Sequence, residues 1–380
     1  MKTRIVLAVS ALTLALSVAS ASAAGGKVPV TAQGIASLVR VEVAQEVTVS
    51  VFATGLYNPR GLKFGPDGNL YVAEGGKGGT NSTIGKCEQV PAVGPYTGSA
   101  TGGRISKISP AGVRSTVTSQ LPSSQTTAET GSLVSGVADV AFIGDTLYAI
   151  LGGGGCSHGV IGKHNAVLRI GATGSATRVV DLSAYQRDNP VLNPEPGDFE
   201  PDGTWYSMVA CQGTLIAVEP NHGEIVRVGT NGAIHRIADI SASQGHIVPT
   251  AVGLHGGNYF VGNLNTFPIV KGSSKILRIT PTGHVSVAAT GLTAVTGVAF
   301  DSRGLMYVLQ MSSGDDPDPT PGTGSIVRVR SGGVQETIVS GLTLPTGMTF
   351  GRDGDLYVSN VGFGAPPTGL GQVLRIHMGN

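Results

Sequence analysis

Charge is scarce in this 380-residue chain. Acidic and basic side chains number 24 and 25, make up 13% of the residues and leave a net charge of +1. That balance gives no electrostatic case for a nucleic-acid or anionic-membrane partner. Helical periodicity is missing as well: no long stretch repeats apolar residues at i, i+3, i+4 and i+7. Beyond the first 23 residues no run approaches 18 continuous apolar positions, so no later membrane span is expected. There is no P-loop, no dinucleotide-binding fingerprint and no Gly-x-Ser-x-Gly elbow in the right context, which removes the commonest nucleotide and serine-hydrolase chemistries.

What is present is glycine (58), proline (21) and a hydrophobic fraction of 41%. Short Val/Ile/Leu runs alternate with Gly-rich turns, the pattern of an all-β chain with a large core. The first residues differ. Lys2 and Arg4 precede the apolar stretch from Ile5 to Val18, and Ala21-Ser22-Ala23 is a small-x-small cleavage signal. Residues 1–23 read as a secretory signal peptide, residues 24–45 as a short leader and 46–380 as the folded domain. The expected location is periplasmic or extracellular.

The chain repeats itself. "GLYNPRGLKFGPDGNLYVAE" (55–74) recurs as "GLTAVTGVAFDSRGLMYVLQ" (291–310) and "GLTLPTGMTFGRDGDLYVSN" (341–360), with more distant copies at 135–151, 204–219 and 249–263. Each copy is followed by a second signature, such as "GEIVRVGTNG" (223–232) or "SKILRITPTG" (274–283), and then by a third strand-like run. Every unit therefore reads as four strands: a ("GLKF"), b ("LYVAE"), c ("ILRI") and d ("VSVAATGL"). Four-stranded units of this kind match propeller blades, whose sheet faces are buried only by their neighbours in a ring. Six units predict a six-bladed β-propeller. The last unit lacks strand d, and "EVTVSVFATGL" (46–56) is a spare one. The N-terminal strand is predicted to pair into the last blade and close the circle, leaving no open edge.

In such a ring strand a lies nearest the axis, and the d–a and b–c connections share one face. The a–b turns are tight, with Asp-Gly pairs suited to positive φ. The b–c connections are long in five of the six units, and long loops gathered on one face usually carry function. Strand b ends there on Glu74, Leu151, Glu219, Asn263, Gln310 and Asn360. Five polar ends are candidates for a ring around the channel mouth, where Glu74 and Glu219 with the amides would suit Ca²⁺ or a polyhydroxyl ligand; polar residues also simply belong at strand ends. Asn221, His222 and His246 collect on the same face, with Arg60, Glu200, Asn265, Thr266 and Phe267. A histidine at a channel mouth is a candidate general base, or a hydrogen-bonding link to a neighbouring blade.

Three cysteines remain. Cys87 and Cys156 fall in b–c loops of adjacent blades, and export permits a disulfide between them; Cys211 is expected free and buried. A metal set of Cys156, His158 and His164 fits no strong zinc spacing. The loop "SSGDDPDPTPG" (312–322) reads as a solvated acidic loop. The basic residue that each strand c carries, from Lys107 to Arg375, reads as a structural feature spread around the ring.

The signatures at 55–76, "VEPNHGEIVRV" (218–228), "GHIVPTAV" (245–252) and "GNLNTFP" (262–268) resemble the ScyD/ScyE family, exported NHL-like propellers named for members encoded beside scytonemin biosynthesis genes in cyanobacteria. The resemblance covers residues 46–380 and implies the fold without an activity. More loosely the chain is similar to six-bladed lactonases and to strictosidine-synthase-like and streptogramin-lyase-like propellers, several of which use a metal at the channel mouth. The leading expectation is an exported module binding a small molecule or a protein on the long-loop face. The alternatives are a divalent-metal-dependent hydrolase or lyase at the same mouth, and a rigid scaffold without a channel ligand.

Overall fold

Alternating strands and Asp-Gly hairpins build blades one after another. The computed structural model describes residues 47–91, 94–126, 133–363 and 369–379; the expected signal peptide and leader lie outside the described residues. Six antiparallel sheets of four strands each form the propeller. Five use consecutive strands, beginning with Pro59–Phe64, Leu70–Glu74, Thr97–Ile108 and Arg114–Gln125 in blade 1. The sixth combines Gly347–Phe350, Leu356–Asn360 and Gly371–His377 with the N-terminal strand Thr48–Leu56, registered Thr48↔His377 and Val51↔Leu374. First and last strands thus share one sheet, and no blade is left one strand short.

Each inner strand touches the next, and the inner strand of blade 6 touches that of blade 1. The core lies between the blades. Ile150 and Val167 of blade 2, for example, pack with Met208, Leu215 and Val226 of blade 3, all fully buried. Burying one such side chain contributes roughly 1.5–3 kcal/mol. In the tight turn of blade 1, Gly68 takes φ +76° while Asp67 accepts the Asn69 N–H at 3.1 Å.

The channel is nearly filled where the inner strands converge. Only about 20 Å³ remains among Lys63, Asp139, Ser207, Val252, Val298 and Met348 and their neighbours. Asp139 is buried there and accepts the backbone N–H of Met208 and of Val140, both at 2.8 Å. A Cβ at Gly61 would stand 1.8 Å from the Asp139 carboxylate, so the inner strand of blade 1 needs glycine at this point.

Three details depart from the sequence expectations. Two short helices, Leu182–Asp188 and Ile240–Gln244, follow the outer strands of blades 2 and 3, N-capped by Asp181 and Asp239. The third strand of blade 1 starts at Thr97, so the long loop ends earlier than Gly102. Cys211 carries a free thiol but is half-buried, because it ends an inner strand beside a tight turn.

A buried carboxylate makes stability depend on pH. Glu224 pairs with Arg236 at 2.7 Å, while its Oε1 has no hydrogen-bond partner. Burial outweighs the attraction of Arg236 and, with a contribution from Glu219, pushes its carboxyl up to about 7. The folded state then holds a proton that the unfolded chain releases near the ordinary glutamate value. Stability falls as pH rises through that window, by about 3 kcal/mol. Glu200 and Asp139, also raised by burial, act in the same direction. Urea titrations at pH 5 and pH 8 should show the higher midpoint at pH 5, and Glu224→Gln should shrink the difference. Equal pH dependence in variant and wild type would refute this assignment.

Candidate functional site

The polar ends of the second strands face inward to their own blades. The Glu74 carboxylate accepts the Tyr57 N–H at 2.6 Å, Arg104 Nε at 2.8 Å and Ser106 Oγ at 2.5 Å. Glu219 accepts the N–H of Thr204 at 2.8 Å and of His222 at 2.5 Å. Gln310 accepts the Thr293 N–H at 2.7 Å, and Asn360 accepts that of Thr343 at 2.9 Å. Asn263 reverses the direction and donates to the Ile247 carbonyl at 3.0 Å. In every case one partner, Tyr57, Thr204, Ile247, Thr293 or Thr343, lies on the chain entering the inner strand of the same blade. These residues staple the entry of five of the six blades, and none of them lines the cavity at the channel mouth.

That cavity measures about 630 Å³. Its floor is Arg60 and Tyr206. Arg60 donates to the Gly362 carbonyl in blade 6 and, at 2.6 Å, to the Val134 carbonyl before blade 2. Tyr206 reaches across to the Thr346 carbonyl at 3.3 Å. One wall is the 195–200 segment with Glu195, Asp198 and Glu200. The opposite rim is Leu264, Asn265, Thr266 and Phe267, joined by Phe363. Of the expected binding residues, Asn221 and His246 line the cavity, as do the companion candidates Arg60, Glu200, Asn265, Thr266 and Phe267. His222 stands behind it, its ring tilted 38° against that of Phe199 with centroids 5.0 Å apart, and with Nε2 2.9 Å from the Glu200 carbonyl.

The turn Glu219-Pro220-Asn221-His222 therefore acts as a buttress. Glu219 closes it through the His222 N–H, Asn221 Nδ2 donates to the Asp198 carbonyl at 3.1 Å, and His222 holds the Glu200 backbone. His246 Nε2 meets Asp198 Oδ2 at 2.8 Å from the neighbouring blade. The acidic wall is fixed from two sides.

Behind the wall is a buried chain of polar groups. Tyr96 Oη lies 3.5 Å from Glu200 Oε1, and His158 Nε2 lies 3.4 Å from Glu200 Oε2. His158 Nε2 also faces the Gly203 carbonyl at 3.2 Å, and Nδ1 faces Ser124 Oγ at 3.0 Å. A carbonyl only accepts, so Nε2 carries the proton; with the ring neutral, the Ser124 hydroxyl donates to Nδ1. A neutral ring thus satisfies both partners. Burial raises the Glu200 carboxyl above its usual range, His158 opposes this, and Glu219 and Asp198 add to it. Burial, and then Glu200 and Asp198, push the Tyr96 phenol well above its own.

Tyr96, Asp198, Trp205 and Tyr206 escaped the sequence reading. Tyr96 sits in the longest loop, directly before the strand that starts at Thr97, and that loop is tethered: Cys87 and Cys156 form a disulfide across 69 residues. The acidic density of "NPEPGDFEPDG" was the available signal for Asp198. The Cys156/His158/His164 metal set is not brought together for coordination: the cysteine is in the disulfide, and His164 pairs with Asp181 at 2.8 Å. Among the described residues no three His, Cys, Asp or Glu side chains group to hold a metal ion. A larger groove of about 880 Å³ between the outer strands of blades 1 and 2 is the weaker candidate. Its ionisable side chains, Lys163, His164 and Arg178, are exposed or half-exposed and already paired.

No family model and no curated protein matches the sequence. Solved structures do. A protein of unknown function from Bacteroides thetaiotaomicron aligns with TM-score 0.55 and 11% identity over 87% of this chain and 76% of its own. A gluconolactonase from Xanthomonas campestris aligns with TM-score 0.52 and 9% identity over 87% and 90%. The PQQ-bound aldose sugar dehydrogenase from Streptomyces coelicolor gives 0.50 and 12% over 88% and 99%. At these identities the likeness is one of fold: the chain is a six-bladed β-propeller, the architecture that those structures share.

Proposed function

We propose that this chain is an exported propeller that binds a small organic molecule in the long-loop cavity at the channel mouth. The observation that carries the reading is the cavity itself. About 630 Å³, walled by aromatic and apolar groups with a few buried polar ones, is the size and chemistry of a small-molecule site. A protein partner would cover the same face, but a deep concavity favours the smaller ligand. Export is supported by the Cys87–Cys156 disulfide; among the described residues no helix is long and apolar enough to cross a membrane.

All four of the segments that resemble ScyD/ScyE propellers supply cavity residues. Arg60 comes from the first, Pro220 and Asn221 from "VEPNHGEIVRV", His246, Val248 and Thr250 from "GHIVPTAV", and Leu264 to Phe267 from "GNLNTFP". This convergence supports keeping that resemblance as part of the reading.

The metal-dependent alternative is weaker. Glu74 and Glu219, the expected Ca²⁺ ligands, are both engaged by donors of their own blades. The group named for one fold neighbour, PQQ, is also a poor fit. It carries three carboxylates, and here it would face Glu195, Asp198 and Glu200 across one committed guanidinium.

Thermal melts of the mature protein against amines, sugars, lactones and carboxylic acids test the reading. A ligand at a hundredfold excess over its dissociation constant should stabilise by about 2.7 kcal/mol. Phe267→Ala, a substitution at an exposed rim position, should reduce that shift. If no compound gives a shift that depends on the rim, the propeller is a scaffold and the reading fails.

A further inference from the structure

The cavity lining is unbalanced in charge. Glu195, Asp198 and Glu200 face one guanidinium, Arg60, and one imidazole, His246. With all three carboxylates ionised, an excess of one negative charge remains even when that imidazole is protonated. Arg60 is moreover turned away from any ligand, both terminal nitrogens donating to the carbonyls of Gly362 and Val134. Glu200 is 3% exposed, and its Oε2 has no hydrogen-bond partner. The nearest cationic candidate, His158, stands 3.4 Å from that oxygen and is satisfied as a neutral ring by Gly203 and Ser124. A buried, under-partnered carboxylate at a cavity wall is costly until a proton or a cation neutralises it. Aromatic faces complete the surroundings. Tyr96 stands at the wall and Tyr206 on the floor, and Phe267 and Phe363 lie 6.2 Å apart at the rim. Ring faces attract cations and repel anions.

We propose, building on the small-molecule reading above, that the cavity selects a protonated amine carried on a flat apolar body, with the ammonium against the Asp198–Glu200 wall and the body between the rim aromatics. Anionic ligands are excluded by the same wall, and neutral ones lose the ionic contact.

Three matched probes test this by fluorescence titration of the mature protein at pH 7.5: 1-naphthylmethylamine, 1-naphthalenemethanol and 1-naphthylacetate. The amine should bind at least tenfold tighter than the alcohol, and the acid should bind weaker still. Glu200→Gln keeps the size and the contact with Tyr96. It should weaken the amine about tenfold and leave the alcohol unchanged, whereas a variant that merely disturbs folding would weaken both. Asp198→Asn provides a second, independent variant with the same expected pattern. The proposal is overturned if the alcohol or acid binds as tightly as the amine, if both variants keep the full amine preference, or if none of the three binds. The small-molecule reading survives such a result when another compound gives a melting shift that Phe267→Ala removes; it falls together with this proposal when none does.

Discussion

Alanine at Glu74 should destabilise the propeller by about 3–5 kcal/mol, the range for breaking a buried ion pair from one side. The carboxylate is fully buried, and Arg104, with its side chain only 10% exposed, approaches it at 2.5 Å. Removing Glu74 leaves that guanidinium with the Gly55 carbonyl at 2.8 Å and the face of Tyr57 at 4.3 Å. It also strands the Tyr57 N–H and leaves Ser106 Oγ with Arg114 alone, at 3.1 Å. Chemical denaturation would measure the loss. Glu74→Ala and Arg104→Ala should each be costly, and the double variant should cost less than their sum, since the two report one contact. Glu219→Ala should be milder, about 1–3 kcal/mol, because two backbone donors lose a partner but no buried cation does. Ligand binding separates the staple from a channel-mouth ring. A Glu74→Ala protein that melts like wild type but no longer binds would restore the strand ends as a ligand site.

The contrast shows what could be read from residues alone. Blades were legible because they repeat: the polar end of "LYVAE", the Asp-Gly turn and the spare N-terminal strand recur at set offsets. Which way a strand-end side chain points was not legible. Glu74, Gln310 and Asn360 sit at equivalent positions that suggest a ring about the axis. Yet each finds an N–H 17 residues earlier on its own chain. A buried backbone donor must be satisfied locally, and that requirement outranks any common centre. The rim was partly legible: Asn221, His246 and Asn265 to Phe267 stand on short segments next to strands of known direction. Tyr96 was not, since its place depends on a long loop, a strand extension back to Thr97 and a covalent tether. The helices at Leu182 and Ile240 span seven and five residues, too few for a periodic pattern, and only their Asp caps mark them.

The tether leads to the second large effect. Opening Cys87–Cys156, by reduction or as Cys87→Ser with Cys156→Ser, should cost about 4 kcal/mol if the unfolded chain gains the freedom of a loop of this length. The sequence separation is 69 residues. For a domain of this size that corresponds to a melting temperature lower by about 5–6 °C. The native state should change as well, and locally. The loop that carries Tyr96 retains the Asn81–Gly98 backbone pair at 2.9 Å, Thr97 Oγ1 on the Gly79 carbonyl at 2.7 Å and Thr83 Oγ1 on the Cys156 carbonyl at 2.5 Å. Without the bond these contacts must hold the loop against its own entropy. Amide exchange should therefore accelerate at Asn81 and Gly98 and stay unchanged in blades 4 and 5, across the ring from the loop. Because Tyr96 and His158 flank Glu200 from the two tethered loops, the same variant should also weaken any ligand of the cavity. If stability falls but exchange and binding do not, the disulfide acts on the unfolded chain alone, and the cavity wall is held by its hydrogen bonds.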